Sequence, residues 1–313
     1  IVDDESLFAQ TLARVAGPAF ADPLVICGAS HVETVREQAG GRGIGLLVEP
    51  SARNTAPAIA LAVAAAAAAP DALLLIMPSD HIIDDVPAFH VAIEQGAQLA
   101  RDRWIVTFGI APDCPDTGFG YIASGMAIGD TGFAVERFVE KPRLDVAKAM
   151  IDAGGYSWNA GIFLFRAGAM RDAMRVHCPD ILAAAEDALA NGGDDGTARY
   201  ADLASFEAAP AVSIDYAVME KHDRVAVVPV SMGWSDLGSW HAVHSRAAHD
   251  MADNSCRGDG LFHDSRGCLV RADGRRVSLI GMENVAVVVD GDDILVMPLA
   301  RSQEVRAAAA LRE

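Results

Sequence analysis

The sequence predicts an α/β fold: a Rossmann-like, mixed and mostly parallel sheet flanked by helices, followed by a small C-terminal β domain. Short and wholly apolar segments, such as residues 44–48, alternate with helical patterns along the first part of the chain, as is typical of parallel strands buried on both faces. Strand patterns without an intervening helix follow at 121–139, where we expect antiparallel pairing. Beyond residue 249, short β-rich runs replace the helices. We therefore expect one domain at residues 1–250 and a smaller one at residues 251–313.

The first part of the chain carries the clearest alternation. The predicted elements are a helix capped by Ser6, a strand at 24–27, a helix opened by a capping box at Ser30 and Glu33, a strand at 44–48, an Ala-rich helix at 58–69, a strand at 72–77, a helix at 87–100 and a strand at 104–110. Sheets of this kind bind ligands at the carboxyl ends of their strands. The loops at 28–30, 49–55 and 78–85 are therefore the first candidates for a binding site.

The rest of the chain mixes antiparallel strands with helices before the β-rich end. The predicted elements are strands at 121–124, 133–139, 158–165 and 225–230, helices at 144–153, 167–175 and 181–190, and a solvated loop at 192–196. Four further strands, at 268–271, 277–280, 285–289 and 294–298, are separated by turn signals. Their spacing permits a β-helix.

Composition excludes several classes of function. The chain is 51% hydrophobic and 22% charged, which is typical of a globular protein with an ample core. Its formal net charge of −18 disfavours a broad nucleic-acid surface. The longest apolar run, around 56–69, is shorter than the roughly 20 residues of a membrane span. Five cysteines without a C-x-x-C pair predict neither a disulfide framework nor a zinc site, so we expect a cytoplasmic protein.

Two aspartates follow apolar strands of the predicted sheet. Asp80 comes after the strand at 72–77, and Asp236 comes after the strand at 225–230, within GWSDLG. Carboxylates at different strand ends can converge on one hard cation, because Mg²⁺ takes one or two protein carboxylates and completes its shell with water and substrate phosphates. A turn-capping role is the alternative for Asp80.

The strand at 133–139 ends in Glu140 and Lys141, before a proline that stops further ladder pairing. The chain has only three lysines against its net charge of −18. A lysine fixed at a strand end is therefore a candidate point charge for a phosphate group. A surface ion pair between the two residues is the alternative.

Three further positions suit a polar ligand. Asn159 opens the strand at 158–165 with an amide that can both donate to and accept from a sugar hydroxyl, although a turn asparagine is the alternative. Gly120, in TGFGY, permits close approach of the backbone to a ligand. That segment is not a dinucleotide fingerprint, because no third glycine and no helix follow. Asp215 follows a helix-capping Ser213, and both a cap and a substrate contact are open to it.

Taken together, these segments resemble the bacterial mannose-1-phosphate guanylyltransferase family, within the larger group of sugar-phosphate nucleotidylyltransferases. The matching stretches run in family order from residue 5 to residue 300: EPSARNTAPAIA, LLLIMPSDHII, DTGFGYI, FVEKP, GGYSWNAGIFLFRA, SIDYAVMEK and GWSDLGSW. The whole series is far more specific than any one of its members.

The resemblance implies a sheet of the nucleotide-diphospho-sugar transferase type and a reaction between GTP and mannose 1-phosphate that yields GDP-mannose and pyrophosphate. It also implies a Mg²⁺ cofactor and a possible homodimer. The implied roles are metal binding by Asp80 and Asp236, neutralisation of the sugar phosphate by Lys141, and contacts to hexose hydroxyls by Glu140, Asn159 and the Gly120 backbone.

The chain departs from the family pattern at its ends. The family's N-terminal strand and its phosphate loop, of the form G-G-x-G-x-R-L-x-P, are absent before Ile1, so we expect either a clipped sequence or an inactive protein. The C-terminal phosphomannose isomerase domain of some members is not expected beyond Glu313. A nucleotide-sugar-binding regulatory paralogue without activity is one alternative, and a nucleotidylyltransferase for another base or hexose is a second.

The loop EPSARNTAP joins a buried strand to the Ala-rich helix. Glu49 leaves the strand where a base would lie, and one carboxylate can accept from both N1–H and the 2-amino group of guanine, which the other bases do not offer together. Asn54 or Thr55 can cap the helix, and Pro57 suits its first turn. Arg53 is open to a phosphate contact or to an ion pair that fixes the loop. We therefore expect Glu49, Asn54 and Thr55 to line the nucleotide side of the site.

Overall fold

The computed structural model describes residues 5–309 and divides the chain into two compact units. The first unit spans Glu5–Trp234, and the second begins at Ser235. Within the described residues, no helix combines the length and the apolar character needed to cross a bilayer.

The first unit contains the helices and strands predicted for the α/β part, together with several short elements that were not predicted. Its helices are α1 (Leu7–Arg14), α2 (Val32–Ala39), α3 (Thr55–Ala65), α4 (Val86–Arg101), α5 (Leu144–Ala153), α6 (Ala167–His177), α7 (Pro179–Ala190) and α8 (Leu203–Glu207), with a 3₁₀ turn at Ala29–His31 and a π-helical turn at Asp215–Met219. Its strands are β1 (Leu24–Gly28), β2 (Gly45–Glu49), β3 (Leu73–Ile76), β4 (Ile82–Ile83), β5 (Ile105–Ile110), β6 (Tyr121–Ile128), β7 (Gly132–Val139), β8 (Tyr156–Arg166), β9 (Gly193–Asp194), β10 (Arg199–Tyr200) and β11 (Val225–Pro229), and β12 (Trp234–Ser235) lies where the unit ends.

Two sheets, rather than the single sheet that the alternation predicts, organise this unit. The larger has the order β3-β8-β5-β11-β7-β6. In it, β5 and β11 pair in parallel and the other pairings are antiparallel, so the prediction of a mostly parallel sheet is wrong for this sheet. The smaller has the order β1-β2-β10-β9, with β1, β2 and β10 parallel. Because β1 and β3 are edge strands of different sheets, their apolar side chains stay half exposed, whereas the central strands β5 and β11 are almost wholly buried.

The core lies on both faces of the larger sheet. On one face, Phe165 packs with Leu61 of α3 and Met170 of α6. On the other face, Phe108 packs with Phe89 of α4. This arrangement confirms the α/β prediction and leaves the loops at the strand ends free to carry polar side chains.

The second unit is mostly β-structure, as predicted. It contains α9 (Trp240–Arg246), β13 (Ser255–His263), β14 (Leu269–Ile280), β15 (Val285–Asp290), β16 (Asp293–Pro298), a 3₁₀ turn at Leu299–Glu304 and α10 (Val305–Ala309). The strand order is β13-β14-β15-β16, with the first two pairings parallel and the last antiparallel.

Three local predictions are wrong. The turn expected at 272–274 is a bulge inside the continuous strand β14, because the register with the partner strand passes from Ala272 directly to Arg276. The loop expected at 192–196 includes β9, which pairs with β10. The capping box expected at Ser30 does not form, because a 3₁₀ turn precedes α2 and no side chain caps that helix.

Candidate active site

Gly120 precedes β6 at the point where the backbone approaches two other chain segments. Its carbonyl accepts a hydrogen bond from the backbone N–H of Asn159 at 2.8 Å. A Cβ atom at this position would lie 2.6 Å from Glu140 Oε2, closer than packed atoms allow, and in tight contact at 3.2 Å with Phe138 Cε1. Only glycine therefore leaves the Glu140 carboxylate in place above this backbone.

Asn159 lies inside β8 and is only 8% exposed, which rules out the turn alternative. Its Oδ1 accepts hydrogen bonds from Thr107 Oγ1 at 2.7 Å and from the Gly161 amide at 3.2 Å. Its Nδ2 donates to Asp215 Oδ1 at 3.0 Å. The buried amide is thus fixed by its neighbours and holds the Asp215 carboxylate in one orientation.

Glu140, Lys141 and Asp215 form a charged group at this end of the sheet. Lys141 Nζ lies 3.1 Å from Glu140 Oε1, and the lysine side chain is 60% exposed while that of Glu140 is 8% exposed. Burial raises the pKa of Glu140, and the charge of Asp215 raises it further, while Lys141 opposes both effects. Burial likewise raises the pKa of Asp215. The buried Glu140 carboxylate and the partly buried Asp215 carboxylate can accept hydrogen bonds from hydroxyl groups while the lysine faces an anion.

Lys141 also borders an open cavity of about 830 Å³. Its lining residues are Thr117, Lys141, Pro142, Arg143, Leu144, Asp145 and Lys148. Two of the three lysines of this acidic chain therefore line one concavity, beside the group formed by Glu140 and Asp215. Such a local concentration of cations suits an anionic ligand.

Asp80 lies in the loop after β3, and its side chain is 75% exposed. The neighbouring His81 is held by Trp234, whose Nε1 donates to His81 Nδ1 at 3.1 Å. Trp234 in turn packs against Phe119, with ring centroids 5.2 Å apart. Since Phe119 directly precedes Gly120, this aromatic contact brings the Asp80 loop beside the group around Asn159.

Asp236, the other predicted metal ligand, belongs to the second unit. Its Oδ1 accepts a hydrogen bond from the Gly238 amide at 2.9 Å, which fixes the carboxylate within its own loop. The convergence of Asp236 with Asp80 stays a prediction. Among the described residues, no three histidine, cysteine, aspartate or glutamate side chains are grouped as a metal cage.

Glu49 ends β2, as the sequence predicts, and its Oε2 is buried without a hydrogen-bond partner among the described residues. Burial raises the pKa of this carboxyl group. Ser51 Oγ is also buried and lacks a partner within the described part of the chain. Ser51 is not among the predicted site residues, and its position two residues after Glu49 is the one signal that points to it. Two unpaired polar atoms at one strand end are the expected mark of a site for a polar ligand.

The remaining predicted residues of this loop hold its shape. Asn54 adopts a φ of +68° and its side chain caps α3 by accepting from the Thr55 amide at 2.9 Å. Thr55 Oγ1 accepts from the Ile214 amide at 2.9 Å. Arg53 donates to the Ala209 carbonyl at 3.2 Å and lies 3.8 Å from Glu207, which favours the loop-fixing alternative. Direct ligand contacts by Asn54 and Thr55 stay predictions.

The family model for nucleotidyl transferases matches residues 1–253. The chain belongs to the nucleotidyl transferase family. A second model, for the mannose-phosphate isomerase/GMP-like β-helix domain, matches residues 261–308 and confirms the β-helix prediction for the C-terminal part of this family member.

Named relatives match nearly the whole length of this chain. The alginate biosynthesis protein AlgA of Pseudomonas aeruginosa is 41% identical over 312 residues, 98% of this chain and 65% of its own length. The mannose-1-phosphate guanylyltransferase of Klebsiella pneumoniae is 40% identical, with 97% of this chain and 66% of its own length covered. The chain thus spans about 65% of the length of these relatives. A solved structure from Thermus thermophilus, titled mannose-1-phosphate geranyltransferase, has a TM-score of 0.85 at 33% identity and covers 97% of this chain and 88% of that one.

Proposed function

We propose that the protein transfers GMP from GTP to mannose 1-phosphate. A phosphate oxygen of the sugar phosphate forms a bond to the α-phosphorus of GTP, the bond from that phosphorus to the bridging oxygen breaks, and pyrophosphate leaves. The name of the Klebsiella pneumoniae relative, mannose-1-phosphate guanylyltransferase, supports these substrates. The observation that carries the proposal is the group of Gly120, Glu140, Asn159 and Asp215, with Lys141 at its rim.

The acceptor side of the reaction needs groups that hold hydroxyls and one that holds a phosphate. Glu140, whose side chain is 8% exposed, and the partly buried Asp215 are carboxylates that a hexose can satisfy through its hydroxyl hydrogens. Because the Lys141 side chain is largely exposed, its ammonium group can turn from its 3.1 Å contact with Glu140 to bind the phosphate of the incoming sugar. Displacements of this kind depend on positioning and charge neutralisation, so these residues need form no covalent bond to the substrate.

The nucleotide side rests on Glu49. A buried carboxylate oxygen without a partner costs free energy, and the N1–H and 2-amino groups of guanine would satisfy it. Uracil, thymine and adenine lack that pair of neighbouring donors. This chemistry supports GTP rather than another nucleotide as the donor substrate.

A divalent cation, Mg²⁺ in our proposal, suits the donor chemistry of the Asp80 loop. The Asp80 carboxylate is exposed at a strand end, and hard cations bound with substrate phosphates take one or two such carboxylates. Asp80 and Asp236 would hold the ion, which would neutralise charge on the phosphates when bound.

Three further parts of the proposal concern the setting of the reaction. We place the protein in the cytoplasm, which fits its five free cysteines. The partners are GTP and mannose 1-phosphate, and a homodimer is the proposed assembly.

Release of pyrophosphate by the full-length protein tests this proposal. GTP, ATP, UTP and dTTP are each supplied with mannose 1-phosphate, and GTP is then tested with glucose and fucose 1-phosphates. We expect the highest kcat/KM for GTP with mannose 1-phosphate. A preference for another nucleotide or another hexose would replace the substrates named here, and no release with any pair would favour a binding paralogue.

A further inference from the structure

Arg14 is a buried cation outside the group described above. It lies in the last turn of α1 and is only 4% exposed. Its guanidinium group makes no ion pair with a carboxylate of the described residues, and its Nε has no hydrogen-bond partner among them. A buried arginine without a carboxylate is costly, and a fold that retains one needs contacts that compensate for it.

The contacts of Arg14 lead to the loop that carries Asp80. Its NH2 group donates to the His81 carbonyl at 3.2 Å, and its NH1 group donates to Thr11 Oγ1 at 3.4 Å. Thr11 Oγ1 in turn donates to the Ser79 carbonyl at 3.4 Å. One face of α1 therefore binds the carbonyl groups of both residues that flank Asp80.

The C-terminal end of the helix is anchored by a further contact. His90 of α4 makes a hydrogen bond of 2.8 Å with the Arg14 carbonyl. Since α4 packs on the larger sheet, the contact connects the end of α1 to the main core. The loop carbonyls beside Asp80 are thus held by a rigid element rather than by solvent.

We propose that Arg14 and Thr11 are positioning residues that fix the two peptide carbonyls around Asp80 and so set the direction of its carboxylate. The inference rests on the proposed function, because it takes Asp80 as a metal ligand. Both side chains act on the loop backbone through these carbonyl groups. Replacing a residue that hydrogen-bonds a metal ligand commonly changes metal affinity by about 10–100-fold, which sets the scale for the effect expected here.

Binding of Mn²⁺ in the presence of GTP, followed by the electron paramagnetic resonance signal of free Mn²⁺, tests the proposal without catalysis. We expect Arg14→Met to weaken binding by about tenfold or more and Thr11→Val to weaken it less. Arg14→Lys, which keeps the charge and can reach one carbonyl, should recover part of the loss. In turnover, the Mg²⁺ concentration for half-maximal rate should rise while KM for mannose 1-phosphate stays unchanged.

Arg171→Met is the control, since this partly buried arginine pairs with Glu186 instead of binding a carbonyl group beside Asp80.

Asp80→Asn separates the metal-ligand role of Asp80 from the positioning role of Arg14 and Thr11. If Asp80→Asn binds Mn²⁺ normally, the metal assignment of the proposed function is wrong. If Asp80→Asn loses binding while Arg14→Met and Thr11→Val keep it, the positioning role is wrong. Should Arg14→Met fail to fold, Thr11→Val decides the question, because it removes a single hydroxyl.

Discussion

The Asn159 side chain donates a hydrogen bond of 3.0 Å to Asp215, a residue 56 positions later in the chain. This contact joins β8 to the π-helical turn and holds a partly buried carboxylate whose charge acts on Glu140. Asn159→Asp keeps the shape but replaces the donor with a second carboxylate, so two buried charges would repel each other.

We expect Asn159→Asp to lower the free energy of unfolding by about 1–3 kcal/mol, because the Asp215 carboxylate loses its buried donor. KM for mannose 1-phosphate should rise with it. Urea unfolding and steady-state kinetics measure the two effects. Asn191→Asp is the matched control, since the Asn191 amide donates to Ser205 on an exposed surface. If Asn159→Asp and Asn191→Asp changed the free energy of unfolding and KM equally, the role given to Asn159 would be contradicted.

Gly120→Ala tests the close approach of Glu140. The added Cβ would meet Glu140 Oε2 at 2.6 Å, so the carboxylate must move. A displacement of about 1 Å at a reacting centre can lower kcat/KM roughly 100-fold. Gly193→Ala is the control, because nothing lies within 4 Å of a Cβ there. Full activity in Gly120→Ala would show that Glu140 does not need its present position.

Glu49→Gln tests the guanine hypothesis. Glutamine presents an amide group where the carboxylate accepts, so the preference for GTP over ATP should fall by roughly tenfold or more. The ratio of kcat/KM for the two nucleotides is the measurement. Glu33→Gln, on the exposed face of α2, should leave that ratio unchanged. An unaltered ratio in Glu49→Gln would remove Glu49 from base recognition.

The pKa of Glu140 predicts a pH dependence of stability. Burial raises that pKa above its ordinary value of 4.5, so the folded state holds a proton that the unfolded state has lost. The contribution of Glu140 is therefore most favourable below pH 4.5 and is lost as pH rises through the raised pKa. Glu140→Gln cannot lose a proton, so its stability relative to the parent should increase as pH rises from about 4.5 to about 7.5. Urea unfolding across that range measures this effect, with Glu33→Gln as control. A difference in the free energy of unfolding between Glu140→Gln and the parent that stayed constant with pH would contradict the assignment.

Much of the fold follows from local patterns. The apolar strands, the helices between them and the polar loops at strand ends are encoded in short segments, and so the predicted places of Glu49, Asp80 and Glu140 at strand ends are confirmed. The β9–β10 hairpin was not predicted, because the Gly-rich segment around Gly193 has no apolar alternation of its own. The division into two sheets depends on which strands pair with each other across long stretches of the chain. The local sequence of a strand does not determine its partner.

The site is harder to predict than the strands that carry it. Thr55 suits a helix cap, yet its hydroxyl accepts from Ile214, 159 positions away. Arg14 is one polar residue in an amphipathic helix, and its role becomes visible only when α1 lies against the Asp80 loop. Residue type and spacing identify which groups are available, while the tertiary contacts decide which of them fix the loops and which face a ligand.

The most direct test of the central proposal is product formation by the full-length protein and its Lys141→Met variant. Phosphorus NMR distinguishes GDP-mannose and pyrophosphate from GTP and mannose 1-phosphate. We expect the parent to form both products in equal amounts and Lys141→Met to lower kcat/KM for mannose 1-phosphate by roughly 100-fold or more, since a charge that neutralises phosphate is lost. Absence of GDP-mannose with the parent protein, or equal rates for the two proteins, would contradict the proposal.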